Sequence, residues 1–277
     1  MTEWYINNNR IRKYIADYPQ LQPLYENPSG EWIAGRGHKP LKNVKSHVER
    51  LLNRAGDSVV TLVIYRIPNR DLGSHSRGGS QTEKDYLSFI DDLCEGIGDS
   101  APIIVFEPDA LAHMLTHLST PAKIKREQLI KRALKRLSKT NSKVYIDVGH
   151  CNWLSPEIVA KKLLIFKDYI TGFCSNTSNY YPTEQCIEYS KEINGHLPEP
   201  LPYVIDTSRN GNPNFDGTWC NPPGRRLGLS PTLDTGTTKC DAFLWIKVPG
   251  ESDGRCQGGP GAGVFWLDQA LELCNSK

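Results

Sequence analysis

The chain has 277 residues, 38% hydrophobic and 23% charged, which is enough for one large globular domain. Thirty-three basic and 31 acidic side chains leave a net charge of +2, which argues against a polyanionic partner for the chain as a whole. No apolar run approaches the roughly 20 residues of a membrane span, so no membrane partner is expected. Met1-Thr2-Glu3-Trp4 has neither the basic start nor the apolar middle of a leader peptide. The chain therefore reads either as cytosolic or as a trimmed mature form. Eight cysteines, none in a CxxC pair, argue against zinc and favour an oxidising compartment.

Residues 1–57 are polar with helical spacing at Ile11, Tyr14 and Ile15, and again at Val44, Val48, Leu51 and Leu52. Trp4, Tyr5 and Trp32 lie in or beside loops there, and core packing is the reading for each. Residues 59–67 form the first strong strand and end at Pro68. A glycine-rich loop, residues 69–79, follows; it lacks the spacing of a phosphate cradle and is expected to move. Ser80 and Glu83 have capping-box spacing before the next helix.

Residues 103–106 are four apolar residues in a row, a strand buried on both faces. Glu107-Pro108-Asp109 stops it and a helical run begins at Ala110, so Asp109 sits at the carboxyl end of a strand. A helix cap is the plain alternative for Asp109. A second helix opens at Thr120-Pro121 and runs to about residue 139. Its lysines and arginines would allow nucleic-acid binding, but the apolar stripe of Ile124, Leu129, Ile130, Leu134 and Leu137 reads as the solvated outer helix of a barrel.

Residues 144–150 are a third strand, ending Asp147-Val148-Gly149-His150, and Ser155-Pro156 starts another helix. Residues 171–178 are a weaker strand whose end carries the glycosylation sequon Asn176-Thr177-Ser178. A fifth strand covers residues 203–209. Residues 210–239 are a long Gly-, Pro- and Asn-rich loop with Trp219 and Cys220. Residues 241–248 are the last strand, leading to Pro249-Gly250-Glu251-Ser252-Asp253-Gly254, and a helix over 265–273 closes the chain.

The recurring unit is strand, polar end, helix, which is the pattern of a single (β/α) barrel domain over 1–277 with its site at the strand C-termini. Six or seven strands are recognisable, short of the standard eight. Asp71, Asp109, Asp147 and Asp253 all fall at or just past strand ends and should ring one cleft. Clustered carboxylates serve metals or acid–base chemistry. Histidine is scarce among them, so no metal and no cofactor are expected. Carboxylates with tryptophans suit a sugar, because indoles stack on pyranose faces.

Residues 63–71, 107–112, 147–150, 206–211 and 247–254 together resemble glycoside hydrolase family 6. The five motifs stand in the family's order from about residue 59 to the C-terminus. The resemblance implies an α/β fold with a distorted, incompletely closed barrel of about seven parallel strands, an inverting mechanism and β-1,4-glucan substrates. It implies that Asp109 is the general acid and that Asp71 is the carboxylate keeping that acid protonated. Asp253 matches a candidate base, with a water relay to Asp71 as the alternative, and Asp147 matches a supporting carboxylate. Tyr65 matches the tyrosine beneath the sugar at the cleavage point. Trp153, Trp219, His150, Asn179, Lys247 and Glu251 match sugar-binding positions.

Two departures stand out. Arg77 occupies the place of a water-holding serine, with Ser76 before it. Leu72 and Lys123 stand where many relatives have a pair of bonded cysteines. The family's other disulfide is implied as Cys220–Cys256, and Cys174 with Cys186 is a candidate second pair. The segment after Asp253-Gly254 is short, as is the loop over 72–79, so the expected enzyme is a secreted, monomeric endoglucanase with an open groove. A processive cellobiohydrolase and a non-catalytic glucan-binding module are the competing readings.

Overall fold

The computed structural model describes residues 3–7, 9–35, 39 and 41–275. Seven strands form one sheet in sequential order, all parallel: β1 (Glu31–Ile33), β2 (Thr61–Ile64), β3 (Ile103–Phe106), β4 (Lys143–Asp147), β5 (Gly172–Ser175), β6 (Tyr203–Asp206) and β7 (Cys240–Leu244). The helices of the described residues are α1 (Asn9–Arg12), α2 (Gln22–Glu26), α3 (Val44–Ala55), α4 (Glu83–Ile97), α5 (Ala110–His117), α6 (Thr120–Leu137), α7 (Pro156–Phe166), α8 (Thr183–Gly195) and α9 (Leu267–Cys274).

Period-two alternation splits the core in two. Val63, Val105, Tyr145, Cys174, Val204, Ala242 and Leu244 form one cluster, the filling of the curled sheet. Leu62, Ile64, Ile104, Phe106, Ile146, Phe173 and Ile205 belong to the other, packed with the helices. Both faces are apolar, which is why the strands read as continuous runs. The sheet curls until its edges approach, but β7 and β1 do not pair. Gly30 N–H donates to Trp245 O at 2.8 Å and Trp32 Nε1–H to Ile246 O at 2.9 Å, and these bonds join the seam. The barrel is therefore incompletely closed, with seven parallel strands.

Several local expectations change. β1 was not expected: it is three residues long, too short for periodicity to reveal, and it carries Trp32. α8 was likewise unforeseen, because Gln, Glu and Lys dilute its apolar stripe. The capping box is Thr82 with Asp85, which exchange side-chain and backbone bonds, rather than Ser80 with Glu83. Ser80 instead donates its N–H to Arg66 O at 2.8 Å. The sequon asparagine, Asn176, is fully buried and its amide donates to Tyr181 O and Asp206 O, so it offers no glycosylation site. Cys220 and Cys256 are bonded, with Cα atoms 6.2 Å apart. Cys174 and Cys186 are both free thiols; the thiol facing Cys186 is that of Cys151.

Candidate active site

Strand parity delivers the first site residues. Tyr65 continues the inward row of Val63, Asp147 that of Tyr145 and Asp206 that of Val204, so all three cap the barrel filling at its carboxyl end. Asp206 is fully buried and ties three loops together. Its carboxylate accepts Ser178 N–H and Ser208 N–H at 2.9 Å and Lys247 N–H at 3.0 Å.

Asp109 stands at the N-cap position of α5 with φ 65°, and its side chain makes no capping bond. The capping alternative therefore fails, and a non-glycine residue held in the left-handed region marks a position with another use. Asp109 N–H donates to Asp147 Oδ1 at 2.9 Å, as does Gly149 N–H at 3.0 Å. Asp147 Oδ2 is buried without a hydrogen-bond partner. Burial drives the Asp109 pKa well above the carboxylate range, and the negative neighbours Asp147 and then Asp71 add to the rise. Burial also raises Asp147, so the pair holds a proton where isolated carboxyls would not. Asp71 thus acts on Asp109 in the expected direction, and Asp147 joins it.

Asp71 lies on the loop over residues 69–79, here called the flap. Its Oδ2 accepts Ser76 N–H at 2.6 Å, and burial raises its pKa against the pull of that bond, His75 and Arg70. Arg77 is exposed. Tyr65 is buried between the indole edge of Trp32 (centroids 5.6 Å) and the Arg70 guanidinium (4.7 Å). Burial, then Asp109 and Asp71, keeps its hydroxyl neutral. Glu107, fully buried, receives Arg66 N–H and Ile67 N–H at 2.9–3.0 Å and so clamps the end of β2 to that of β3.

Asp253, past the end of β7, has the reverse electrostatics. Asp253 takes Arg209 Nη1 at 3.0 Å, Lys247 Nζ at 3.3 Å, Tyr180 Oη at 2.7 Å and Asn221 N–H at 3.1 Å. Burial alone would raise its pKa, but Arg209 and Lys247 outweigh that and hold it down at about 2. The flap reaches this region: His75 lies 5.8 Å from the Trp219 ring, and a Cβ at Gly254 would fall 2.6 Å from His75 Cβ. The flap tip thus touches the segments that carry Trp219 and Gly254.

The aromatic positions divide. His150 stacks on Tyr181 at 4.7 Å and lies 5.3 Å from Trp153, and burial lowers its pKa to about 4, so it is neutral. Trp219 is 49% exposed. Asn179 and Glu251 are buried beside the strand ends, and Asn179 Nδ2 donates to Thr177 O. Among the described residues the metal-ligand grouping is His75 with Cys220 and Cys256, and the disulfide consumes both sulfurs. Arg209, Tyr180 and Glu107 were not singled out from sequence, and Trp32, read there as core packing, edges Tyr65. Arg209 and Glu107 stand inside the recognised motifs, and Tyr180 follows Asn179, but nothing local shows that they meet the aspartates.

The family described as "Glycosyl hydrolases family 6" matches residues 7–277. Endoglucanase A of Cellulomonas fimi is 43% identical over 265 residues, covering 94% of this chain and 57% of the relative. Endoglucanase A of Thermobispora bispora is 37% identical over 253 residues, with 89% and 54% covered. The chain thus spans a little over half the length of these curated relatives. Among solved structures, the endoglucanase Cel6 from Mycobacterium tuberculosis, in complex with a methyl-cellobiosyl-4-deoxy-4-thio-β-D-cellobioside, aligns with a TM-score of 0.90 and 36% identity, covering 99% of this chain and 96% of that one.

Proposed function

The chain belongs to glycosyl hydrolases family 6, and we propose that it is an inverting endo-β-1,4-glucanase cutting internal bonds of cellulose and related β-glucans. The observation that carries this reading is the contrast between two carboxylates at the carboxyl ends of the strands. Asp109 is kept protonated by burial and its carboxylate neighbours, while Asp253 is kept ionised by Arg209 and Lys247.

In this mechanism Asp109 gives its proton to the glycosidic oxygen as the bond to the anomeric carbon breaks. Water attacks that carbon from the opposite face, which inverts it in one displacement. The water's proton passes through a second water to Asp71, whose burial makes it a better acceptor than an ordinary carboxylate. Asp253, with a pKa of about 2 and two cationic partners, is a weak base and serves to hold Arg209 and Lys247. Asp147 fixes Asp109 through its backbone. Tyr65 lies under the reacting sugar, Trp153 and Trp219 stack on neighbouring rings, and His150, Asn179, Lys247, Glu251 and the Ser76 region bind hydroxyls or water. The protein needs no cofactor in this scheme and acts as a secreted monomer; the Cys220–Cys256 bond suits an oxidising compartment.

A processive cellobiohydrolase is favoured by one observation, the approach of His75 to Trp219 and Gly254. Viscometry of soluble carboxymethylcellulose separates the two. The endo reading expects viscosity to collapse while reducing sugar is still low, and proton NMR to show the α-anomer first. Flat viscosity with accumulating cellobiose would establish the processive enzyme, and β-anomer first would exclude inversion.

A further inference from the structure

A cavity of about 570 Å³ is lined by neither Asp109 nor Asp253. It lies behind the flap, between the flap and the helices α4 and α6. Its size falls in the range of small-molecule sites, roughly 300–1,000 Å³. Its charged lining is one-sided: Arg70 and Arg77 from the flap, Lys125 and Arg126 from α6, and a single carboxylate, Glu83. Glu83 is drawn away by Arg132, with which it pairs at 3.4 Å. Arg126 is nine-tenths buried, and its Nη2 donates to Pro68 O at 2.7 Å, a side-chain bond from α6 to the flap's base. Glu107 attracts Arg126 and Arg70 from within the protein, which leaves Arg77 and Lys125 as exposed cations at the mouth. Arg70 is engaged with Ser76 O, Ala34 O and Tyr65 O, so it contributes field and not a donor.

We propose that this cavity is a binding site for a small polyvalent anion bearing carboxylate or phosphate groups, held by Arg126 at its base and Lys125 and Arg77 at its mouth. Guanidinium groups recognise such anions through paired charge-assisted hydrogen bonds. A bound anion would bridge α6 to the back of the flap and draw Arg77 inward. The front of the same flap carries Asp71 and Ser76, so occupancy would also steady the Ser76 N–H bond to Asp71.

The test is calorimetric titration of the intact protein with pyrophosphate and, separately, citrate, at ionic strength matched with sodium chloride. One-to-one binding of either is expected; the stronger binder identifies phosphate or carboxylate as the preferred group. Lys125→Glu and Arg126→Gln should each weaken it by about tenfold or more, the worth of one charge-assisted bond. Trypsin cleavage after Arg77 should slow when the anion is present. Lys125 is exposed, so its variant should fold even if Arg126→Gln does not. If neither anion binds more tightly than about 10 mM, or if Lys125→Glu binds as well as the unaltered protein, the site does not exist. The readout is binding, so failure here would leave the proposed glucanase activity untouched, and the converse also holds.

Discussion

Asp109 and Asp253 are the same residue type, and their surroundings push them in opposite directions. Asp109 has a raised pKa, so the charged form is the costly one in the fold. Such a group favours folding below its unfolded pKa of about 3.9, and that contribution is lost as pH rises toward the folded value, at up to about 1.4 kcal/mol per pH unit. Asp109→Asn should therefore cut cellulose hydrolysis by about 10²–10⁴-fold while raising stability at pH 7 relative to the parent. The gain should shrink toward pH 4; urea midpoints at the two pH values measure it, and a variant less stable at pH 7 would contradict the assignment. Asp253 has a depressed pKa, about 2, so its contribution is present above about pH 3.9 and lost as pH falls through 2. The stake is about 2–3 kcal/mol. Asp253→Asn strands Arg209 and Lys247 and lowers stability throughout, but it should also flatten the pH dependence between 4 and 2. An unchanged slope would show that other carboxylates drive acid unfolding.

The flap and the segment around Gly254 are the elements that decide access. Gly79 closes the flap against β2's extension: a Cβ there would lie 2.0 Å from Ile67 O, and φ is +95°, so only glycine fits. Gly254 meets the flap tip. An alanine methyl would fall 2.4 Å from His75 Cγ and 2.6 Å from His75 Cβ, and because the Cβ is rooted in the backbone the flap itself must move. Gly254→Ala should thus displace Asp71 and lower kcat by about tenfold or more, with KM changed far less, since Trp153 and Trp219, the proposed sugar platforms, are not on the flap. Equal loss in binding of cellooligosaccharides would show instead that the segment around Gly254 is distorted. The disulfide from Cys220 to Cys256 spans 36 residues and by the loop-entropy model is worth about 4 kcal/mol. It flanks Asn221, whose side-chain oxygen accepts Asp253 N–H at 2.7 Å.

At the scale of the molecule, the seven-stranded sheet leaves a seam between its edge strands β1 and β7. The seam is narrow: a Cβ at Gly30 would fall 2.4 Å from Ile246 O and 2.8 Å from Val63 Cγ2. Gly30→Ala should pry it open, at a cost of about 1–3 kcal/mol in thermal or urea unfolding. Activity should fall with stability, because Lys247 follows Ile246 directly at the seam. A neutral result would mean that the edges part freely, and that the seam does not position the site.

The apolar runs at 62–64, 103–106, 144–146 and 203–205 declare themselves in the sequence because strands buried on both faces are apolar almost throughout. The polar residues that end those runs mark the site's edge for the same reason: beyond the sheet, charge can be solvated or paired. Five motifs in order were enough to expect the family, the parallel barrel, the four aspartates and the Cys220–Cys256 pair. Three things were decided by tertiary structure. That Asp147 joins Asp71 in loading Asp109 depends on a contact across 38 residues, made through space and not by spacing. The locking of Asp253 needs Arg209, 44 residues away, and Tyr180, 73 away, brought together only when β5, β6 and β7 align. β1, three residues long, exists because the edge of β2 offers it hydrogen bonds, a partner that no local propensity encodes.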